Sequence, residues 1–428
     1  MVQSHAGTAP AGGANSPSGL FRRPGSRRLA QWLGLIFLLA VAIGCLLFEL
    51  GLQFASKRNT LDFLALYTSG VMLRQGAGKQ LYDVALQTRV EHQLLPESIR
   101  LPFYHPPFEA WLLEPLAYLP LREAFLAWTA FNLLVLGLVF YLSRFTGYRI
   151  DQDRRLVWLV ASLPAVAGAL VKGQDSLPLA LIFLLAFLAL KKRRDGLAGL
   201  VLGAGLFRFE IMLPFLFVFF LRRRWKLLAG AAVVGAAEVG ASLAIVGWGG
   251  LVRYAGIIAQ AGRARGSEMG GVAAQMPSLR GALAALFGSA IPSGFLFPLV
   301  LVLTLLLLGW AAWQFRSVSQ PRSSTFDLQF ALVLIATLLA SYHLFVYMLT
   351  PLLVAAFLIL GHERATQAAG RKADRAGTIL LLLVGLVPVV GTLMRFYQFS
   401  VVAVVLLGLC AWCGQENVAT SLHAGQEP

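Results

Sequence analysis

The sequence predicts an all-α polytopic membrane protein. Of its 428 residues, 58% are hydrophobic and only 13% are charged, and the mean hydropathy is +0.72. Ordinary soluble domains contain about 25% charged residues. Apolar runs of about 20 residues, the length that crosses a hydrocarbon core of about 30 Å, recur from residue 30 almost to the end. We therefore expect one bundle of about twelve transmembrane helices rather than several soluble domains.

Basic residues occur in clusters between the apolar runs. The formal net charge is +16, but no basic stretch is long enough to follow a nucleic-acid backbone, so nucleic acid is not an expected partner. The clusters are Arg22–Arg28, Arg144–Arg155, Lys191–Arg194 and Arg222–Lys226. Under the positive-inside rule they lie in the cytoplasm. This predicts a multi-pass protein of the cytoplasmic (inner) membrane with both termini inside.

The apolar runs divide the chain into a membrane domain and two tails. Residues 1–28 are rich in Gly, Ser, Ala and Pro and are expected to form a disordered cytoplasmic tail. Residues 29–414 form the transmembrane domain, and residues 415–428 form a second cytoplasmic tail. Within the domain, residues 51–121 and 248–290 are the first and second external loops.

The segment 105–119 is apolar, yet it contains Glu109, Glu114 and three prolines. If it crossed the membrane, the cluster Arg144–Arg155 would lie outside. We therefore predict an interfacial or re-entrant helix at the outer surface.

A second unusual segment, residues 196–221, is flanked on both sides by basic clusters, so it has to enter the membrane and return. About 13 residues per arm is short for a full span, and two half-length helices are predicted. Arg208 and Glu210 lie near their turn and are expected to form an ion pair beside a cavity.

Several polar residues lie at predicted outer ends of helices. Asp62 begins a helix just above the membrane, where the simpler interpretation is a helix N-cap, although a capping carboxylate can also serve a substrate. Tyr104 and His105 open the interfacial helix, and the alternative to a functional histidine is a rigid turn with a solvated one. Lys172, Arg280 and His343 could neutralise a phosphate, but long basic side chains also extend to any membrane interface.

Short motifs follow one another in a specific order along the chain. They are Asp62-Phe63 with Tyr67, Leu81-Tyr82-Asp83, Tyr104-His105-Pro106-Pro107, residues 114–120 with Trp128 and Asn132, Gly173-Gln174, Gly199-Leu200 with Leu202-Gly203, Ser278-Leu279-Arg280-Gly281 and Ser341-Tyr342-His343. This order resembles glycosyltransferase family 87, whose members are polyprenyl-phosphate-sugar-dependent transferases. The resemblance spans about residues 30 to 360.

The resemblance implies a GT-C-type bundle with juxtamembrane helices in the first external loop, and a catalytic aspartate there. That role falls on Asp62. Arg208 occupies the region where the family usually has a lysine. The residues expected to bind the phosphate or sugar of the donor are Arg280, His343, Lys172, Arg208, His105 and Tyr104.

The implied reaction moves a hexose, such as mannose, from a polyprenyl-phosphate donor to a lipid or glycan acceptor on the outer face of the membrane. Asp62 would act as general base, with inversion at the anomeric carbon. No metal and no cofactor are expected, because the sequence has no DxD-type cluster and no His/Asp spacing typical of a metal cage. The alternatives are a transporter or lipid flippase with Arg208 and Glu210 along its path, and a catalytically silent assembly factor.

Overall fold

The computed structural model describes residues 62–96, 102–146, 164–263, 273, 275–287, 293–315, 324–370, 374–394 and 398–424. Over these residues the regular secondary structure is helical, with no β-strand. The all-helical prediction is therefore confirmed. The predicted N-terminal tail and the first predicted span lie outside the described residues.

The described residues form fifteen α-helices, of which the first three belong to the segment predicted to be the first external loop. These are α1 (Phe63–Arg74), α2 (Val84–Leu94) and α3 (Pro107–Leu113), and a 3-10 helix, Glu114–Tyr118, follows α3. The others are α4 (Leu121–Ser143), α5 (Pro164–Lys172), α6 (Ser176–Lys191), α7 (Asp195–Gly203), α8 (Phe209–Leu221), α9 (Trp225–Arg263), α10 (Leu279–Phe287), α11 (Ser293–Gln314), α12 (Ser324–Ala340), α13 (Leu352–Ala368), α14 (Ala376–Leu393) and α15 (Val401–Ala424).

Within the described part of the chain, four helices are long and apolar enough to cross a membrane, namely α4, α9, α11 and α15. The pair α7 and α8 passes the same test together and is bent by 62° at its break. This confirms the prediction of two half-length helices over residues 196–221. The total of about twelve spans stays a prediction.

Helices α12 and α13 form the centre of the bundle. From Phe326 to Leu339 the apolar side chains are fully buried, and those from Leu352 to Ile359 are almost fully buried. A helix that is apolar and buried on all sides belongs to the core of a large bundle. In α4, by contrast, Leu126, Phe131 and Leu134 are exposed. Such a surface is stable against lipid tails, which are as apolar as leucine.

The two ends of the bundle differ in charge. At one end Lys191 Nζ pairs with Asp327 Oδ1 at 2.5 Å, and Arg224 pairs with Asp195. The turn between α5 and α6 and the turn between α7 and α8 lie at the opposite end, because α6 ends at the basic cluster Lys191–Arg194, α7 begins after it, and α8 ends at the cluster Arg222–Lys226. The basic end is the predicted cytoplasmic side.

The segment 105–119 does not form a spanning helix. The seven residues of α3 extend about 10 Å at 1.5 Å per residue, and the 3-10 helix after it turns away. Both pack against α1, where the Tyr67 hydroxyl donates to the Leu119 carbonyl at 2.6 Å and Arg74 Nη1 donates to the Ala117 carbonyl at 2.6 Å. The first external loop is therefore a packed layer on the bundle.

Some helix ends differ from the sequence-based boundaries. α9 continues through a kink at Gly247 to Arg263, where an external loop was predicted from residue 248. α15 continues to Ala424 because Asn417 is buried and hydrogen-bonded to Gln329 and Gln314. α13 begins only after Pro351, since proline fits the start of a helix and not its interior.

The turn between α5 and α6 is tightly packed. Gly173 has φ +67°, and a Cβ atom there would lie 2.6 Å from Phe63 Cβ and 2.9 Å from the Phe125 ring. The Trp128 indole donates to the Gly173 carbonyl at 2.9 Å. Only glycine combines this backbone conformation with so close an approach. As a result Gln174 lies beside the start of α1.

We predict that Gly173→Ala destabilises the protein more than Gly76→Ala. Gly76 has φ +75°, but a Cβ atom there would meet nothing within 4 Å, so both variants incur about 1–2 kcal/mol for the left-handed backbone. Only Gly173→Ala adds overpacking, which costs about 1–3 kcal/mol. Thermal unfolding of the detergent-solubilised variants measures the difference, and equal losses would contradict the tight turn.

Candidate active site

Four segments meet at the end of the bundle opposite the basic clusters. They are the start of α1, the residues before α3, the turn between α5 and α6, and the turn between α7 and α8. Each contributes a charged side chain to one polar cluster, and the cluster contains Asp62, His105, Glu109, Gln174, Asp175, Arg208 and Glu210.

Asp62 stands immediately before α1, but its side chain makes no capping hydrogen bond to the helix within the described residues. Instead Gln174 Nε2 donates to Asp62 Oδ2 at 2.5 Å, and the Tyr347 hydroxyl donates to the same carboxylate. The side chain is only half-buried. The interpretation of Asp62 as a capping side chain is therefore wrong, and its carboxylate is positioned by two other parts of the chain.

The Arg208 guanidinium joins the turn between α7 and α8 to the turn between α5 and α6. Its Nε donates to Asp175 Oδ1 at 2.8 Å, and its Nη2 donates to Gln174 Oε1 at 2.9 Å. The predicted pairing with Glu210 is present at 3.6 Å. The stronger partner is Asp175, because two of the Arg208 nitrogens donate to it. Gln174 therefore connects the guanidinium to Asp62, because its side-chain oxygen accepts from Arg208 and its side-chain nitrogen donates to Asp62.

His105 is paired rather than solvated, which corrects the simpler interpretation of this residue. Its Nδ1 lies 2.8 Å from Glu109 Oε2, one helical turn later in α3, and 3.5 Å from Asp175 Oδ2. The ligand atoms of these three residues all lie within 4.8 Å of one another, so the group could hold a metal ion. Glu109 and Asp175 are almost fully buried.

The charges in this group alter one another's pKa values. Burial disfavours the imidazolium, but the Glu109 and Asp175 carboxylates outweigh burial and raise the pKa of His105 to about 9. Burial raises the pKa of Glu109 to about 7, against the opposing effect of His105. Burial would also raise the pKa of Asp175, but Arg208 and His105 hold it well below its usual range. At neutral pH Asp175 is therefore ionised and His105 is protonated.

The motifs of the first external loop position His105. The Tyr82 hydroxyl donates to the His105 carbonyl at 2.6 Å, and the Phe103 ring stacks on the imidazole with 5.3 Å between centroids. Asp83 caps α2, accepting from Ala85 and Leu86. The Leu81-Tyr82-Asp83 motif thus serves as a support for the histidine.

The remaining predicted residues lie around this cluster. Lys172 Nζ lies 5.5 Å from the centre of the Tyr347 ring, whose hydroxyl contacts Asp62. Arg280 Nη1 donates to the Tyr342 carbonyl at 3.2 Å. Next to Tyr342, His343 is exposed, and it is within electrostatic reach of Arg208, Arg280 and His105.

Tyr104 is 43% exposed beside His105, and its side chain is not among the groups that hold the cluster together. The structure therefore brings Asp62, His105, Arg208 and Lys172 to one place, with Arg280 and His343 at its edge.

Residues 103–341 match the sequence model of glycosyltransferase family 87, and this match covers more than half of the 428 residues. The chain belongs to this family. Membership implies a membrane glycosyltransferase and confirms the resemblance seen in the motifs. No curated protein and no solved structure matches the chain.

The family match includes His105, Lys172, Arg208 and Arg280, but it begins after Asp62 and ends before His343. Asp62 is therefore linked to the matched region by structure, through its hydrogen bond from Gln174.

Three residues of the cluster were not singled out from the sequence. Glu109 follows His105 by four positions in a predicted helix, a spacing that places both on one face and could have identified it. Gln174 belongs to a family motif, and Asp175 directly follows it. Nothing in their spacing indicates that Arg208, more than 30 positions later, would be their partner.

We predict that the His105 cluster makes stability depend on pH in the alkaline range. A pKa raised from 6.5 to about 9 stabilises the fold fully below pH 6.5, and this contribution is lost as pH rises through 9. The Glu109 contribution also falls as pH rises through about 7. In EDTA, the thermal stability of the wild type should fall between about pH 7 and 9.5, and His105→Gln should remove most of the fall above pH 8.

The matched control is His92→Gln, which changes an exposed histidine on α2. It should keep the wild-type pH profile. A wild-type profile that is flat from pH 7 to 9.5 would show that His105 is not protonated in the folded protein.

Proposed function

We propose that this family 87 protein transfers a hexose, with mannose the first to be tested, from a polyprenyl-phosphate donor to a lipid or glycan acceptor. Transfer takes place on the outer face of the cytoplasmic membrane. Asp62 is the general base, and the reaction inverts the anomeric carbon. The bundle is of the GT-C type, and both termini are cytoplasmic.

The observation that carries this proposal is the environment of Asp62. Its carboxylate is half-buried and accepts hydrogen bonds from Gln174 and Tyr347, so it is oriented while part of it stays accessible. A base that is held in place and can reach its substrate is what proton abstraction from an acceptor hydroxyl requires. A carboxylate that only capped α1 would bond to the backbone of that helix instead, and the Asp62 side chain makes no such bond among the described residues.

The position of the site supports an outward orientation. The cluster lies at the end of the bundle opposite Lys191 and Arg224, and basic residues mark the cytoplasmic side. Nucleotide sugars are not supplied outside the cytoplasmic membrane, so the donor has to arrive through the bilayer. A sugar on a polyprenyl phosphate satisfies this, since its chain stays in lipid between helices.

The reaction is a single displacement. The acceptor oxygen forms a bond to the anomeric carbon as its proton passes to Asp62, and the bond between that carbon and the phosphate oxygen breaks. Polyprenyl phosphate leaves with the electron pair. Because attack and departure occur on opposite faces of the sugar, the configuration inverts.

Cations next to Asp62 stabilise the leaving phosphate. Among the described residues Lys172 and Arg280 form no ion pair with a carboxylate, so their charges are available to a donor. His343 lies near Arg280 and is neutral, because desolvation and the neighbouring cations lower its pKa to about 4, so it can donate a hydrogen bond but supplies no charge. Fixed positive groups in a water-poor site stabilise developing negative charge strongly. Arg208 and His105 already have carboxylate partners, and their role is to hold those carboxylates in position. Tyr104 is exposed beside His105, where a sugar could approach.

We predict that Asp62→Asn lowers sugar transfer by about 10²–10⁴-fold, because the amide keeps the shape of the side chain and cannot accept the proton. Transfer is measured in membranes given radiolabelled polyprenyl-phosphate mannose and total lipid extract. Donor binding should remain.

The matched control is Asp83→Asn, which makes the same change in the same external loop. Asparagine caps helices about as well as aspartate, so this variant should transfer sugar like the wild type. Equal transfer by Asp62→Asn and wild type would remove Asp62 from catalysis. If the protein is a transporter or flippase, neither the wild type nor Asp62→Asn should form a labelled product.

A further inference from the structure

His105, Glu109 and Asp175 together have the composition of a cation site, and Arg208 holds one of them, Asp175. His105 Nδ1, Glu109 Oε2 and Asp175 Oδ2 face one another, with 2.8 Å between the first two and 3.5 Å between the first and the third. An imidazole nitrogen with two carboxylates is a ligand set used for first-row divalent metals in proteins.

One atom of this group points to a ligand independently of the others. Asp175 is 3% exposed, and its buried Oδ2 has no well-formed hydrogen bond among the described residues, with His105 Nδ1 at the long distance of 3.5 Å. Its partner oxygen, Oδ1, is held by Arg208. A buried carboxylate oxygen without a hydrogen bond is costly, so such an atom is expected to meet a cation.

The distances suit a metal ion. With metal–ligand bonds of about 2.1 Å, neighbouring ligand atoms lie about 3.0 Å apart in an octahedral site and about 3.4 Å apart in a tetrahedral one. The observed separations of 2.8 Å and 3.5 Å lie close to these values. The third separation, between the ligand oxygens of Glu109 and Asp175, is at most 4.8 Å.

The charge balance favours a cation as well. Asp62, Glu109, Asp175 and Glu210 are four carboxyl groups around a single guanidinium, that of Arg208. His105 has to lose its proton to bind a metal ion. With His105 neutral and all four carboxyl groups ionised, Arg208 and Lys172 leave an excess of two negative charges in a largely buried place. A divalent ion balances this excess.

The ligands are also held in position by their neighbours. Tyr82 bonds the His105 carbonyl, Phe103 stacks on the imidazole, and Arg208 turns Asp175 so that Oδ2 faces His105. The first turn of α3, which carries Glu109, is fixed by the hydrogen bond from the Phe108 N–H to the Ser242 hydroxyl at 3.2 Å. Such supporting contacts are typical of metal ligands.

We propose that His105 Nδ1, Glu109 and Asp175 bind a divalent first-row metal ion, of the type of Mn²⁺ or Zn²⁺, and that phosphate oxygens of the donor complete its coordination. The second part rests on the proposed function. The metal replaces the proton that otherwise lies between His105 and the two carboxylates. The metal ion would place a positive charge beside the leaving phosphate. His105 would then contact the phosphate through the metal ion and not directly.

The test is Mn²⁺ binding by the full chain, purified in detergent and treated with EDTA, with free Mn²⁺ followed by electron paramagnetic resonance. We expect one bound Mn²⁺ per chain in the wild type and at least tenfold weaker binding in Glu109→Gln. Glu123→Gln, which makes the same change at an exposed position of α4, should bind like the wild type. His105→Gln is the second ligand variant if Glu109→Gln does not fold.

Failure of folded wild type to bind Mn²⁺, or equal binding by Glu109→Gln, would overturn the metal site. Neither measurement uses donor or acceptor, so each is independent of the proposed function. In the transfer assay, EDTA should abolish activity and Mn²⁺ should restore it. Transfer that continues unchanged in EDTA would overturn the role of the metal at the donor phosphate.

Discussion

The Arg208 guanidinium is buried where three distant parts of the chain meet, and a buried cation is stable only with well-placed partners. Asp175, Gln174 and Glu210 provide these partners. Through Gln174 the guanidinium also orients Asp62, and through Asp175 it orients the histidine of the external loop. The proposed base, the proposed cation ligands and the broken pair of half-helices therefore all depend on one side chain.

Much of the fold could be predicted because a bilayer imposes simple requirements on composition and length. Basic clusters on both sides of residues 196–221 required the chain to turn back, and the structure has a bent helix pair there. Helix ends were less predictable, since they depend on tertiary contacts. α15 extends to Ala424 because Asn417 finds buried partners on α11 and α12, which no local pattern reveals.

Four members of the cluster, Asp62, His105, Arg208 and Glu210, could be predicted from the sequence, and so could one of its pairings, that of Arg208 with Glu210. Asp62, His105 and Arg208 were all identified from motifs and position, yet the interpretations of Asp62 as a capping side chain and His105 as a solvated residue were wrong. The nearest partner of His105, Glu109, lies only four positions away and was overlooked, whereas the other partners could not be found locally. Local sequence indicates that a side chain lies at a helix start or in a turn, whereas its partners, Gln174 and Asp175, come from a turn 70 or more positions away in sequence.

The central position of α12 and α13 has a consequence for how the protein is made. Chains enter the membrane from the N-terminus, so the helices from α4 to α11 are inserted before the core helices α12 and α13 exist. The rings of Phe187 and Phe215 pack against Phe330, which is synthesised more than a hundred residues later. The hydrogen bond between Asp62 and Tyr347 likewise cannot form until Tyr347 has been synthesised. Assembly of the candidate active site is thus one of the last events in biogenesis, and a nascent chain stalled before residue 324 would be inserted without a complete site.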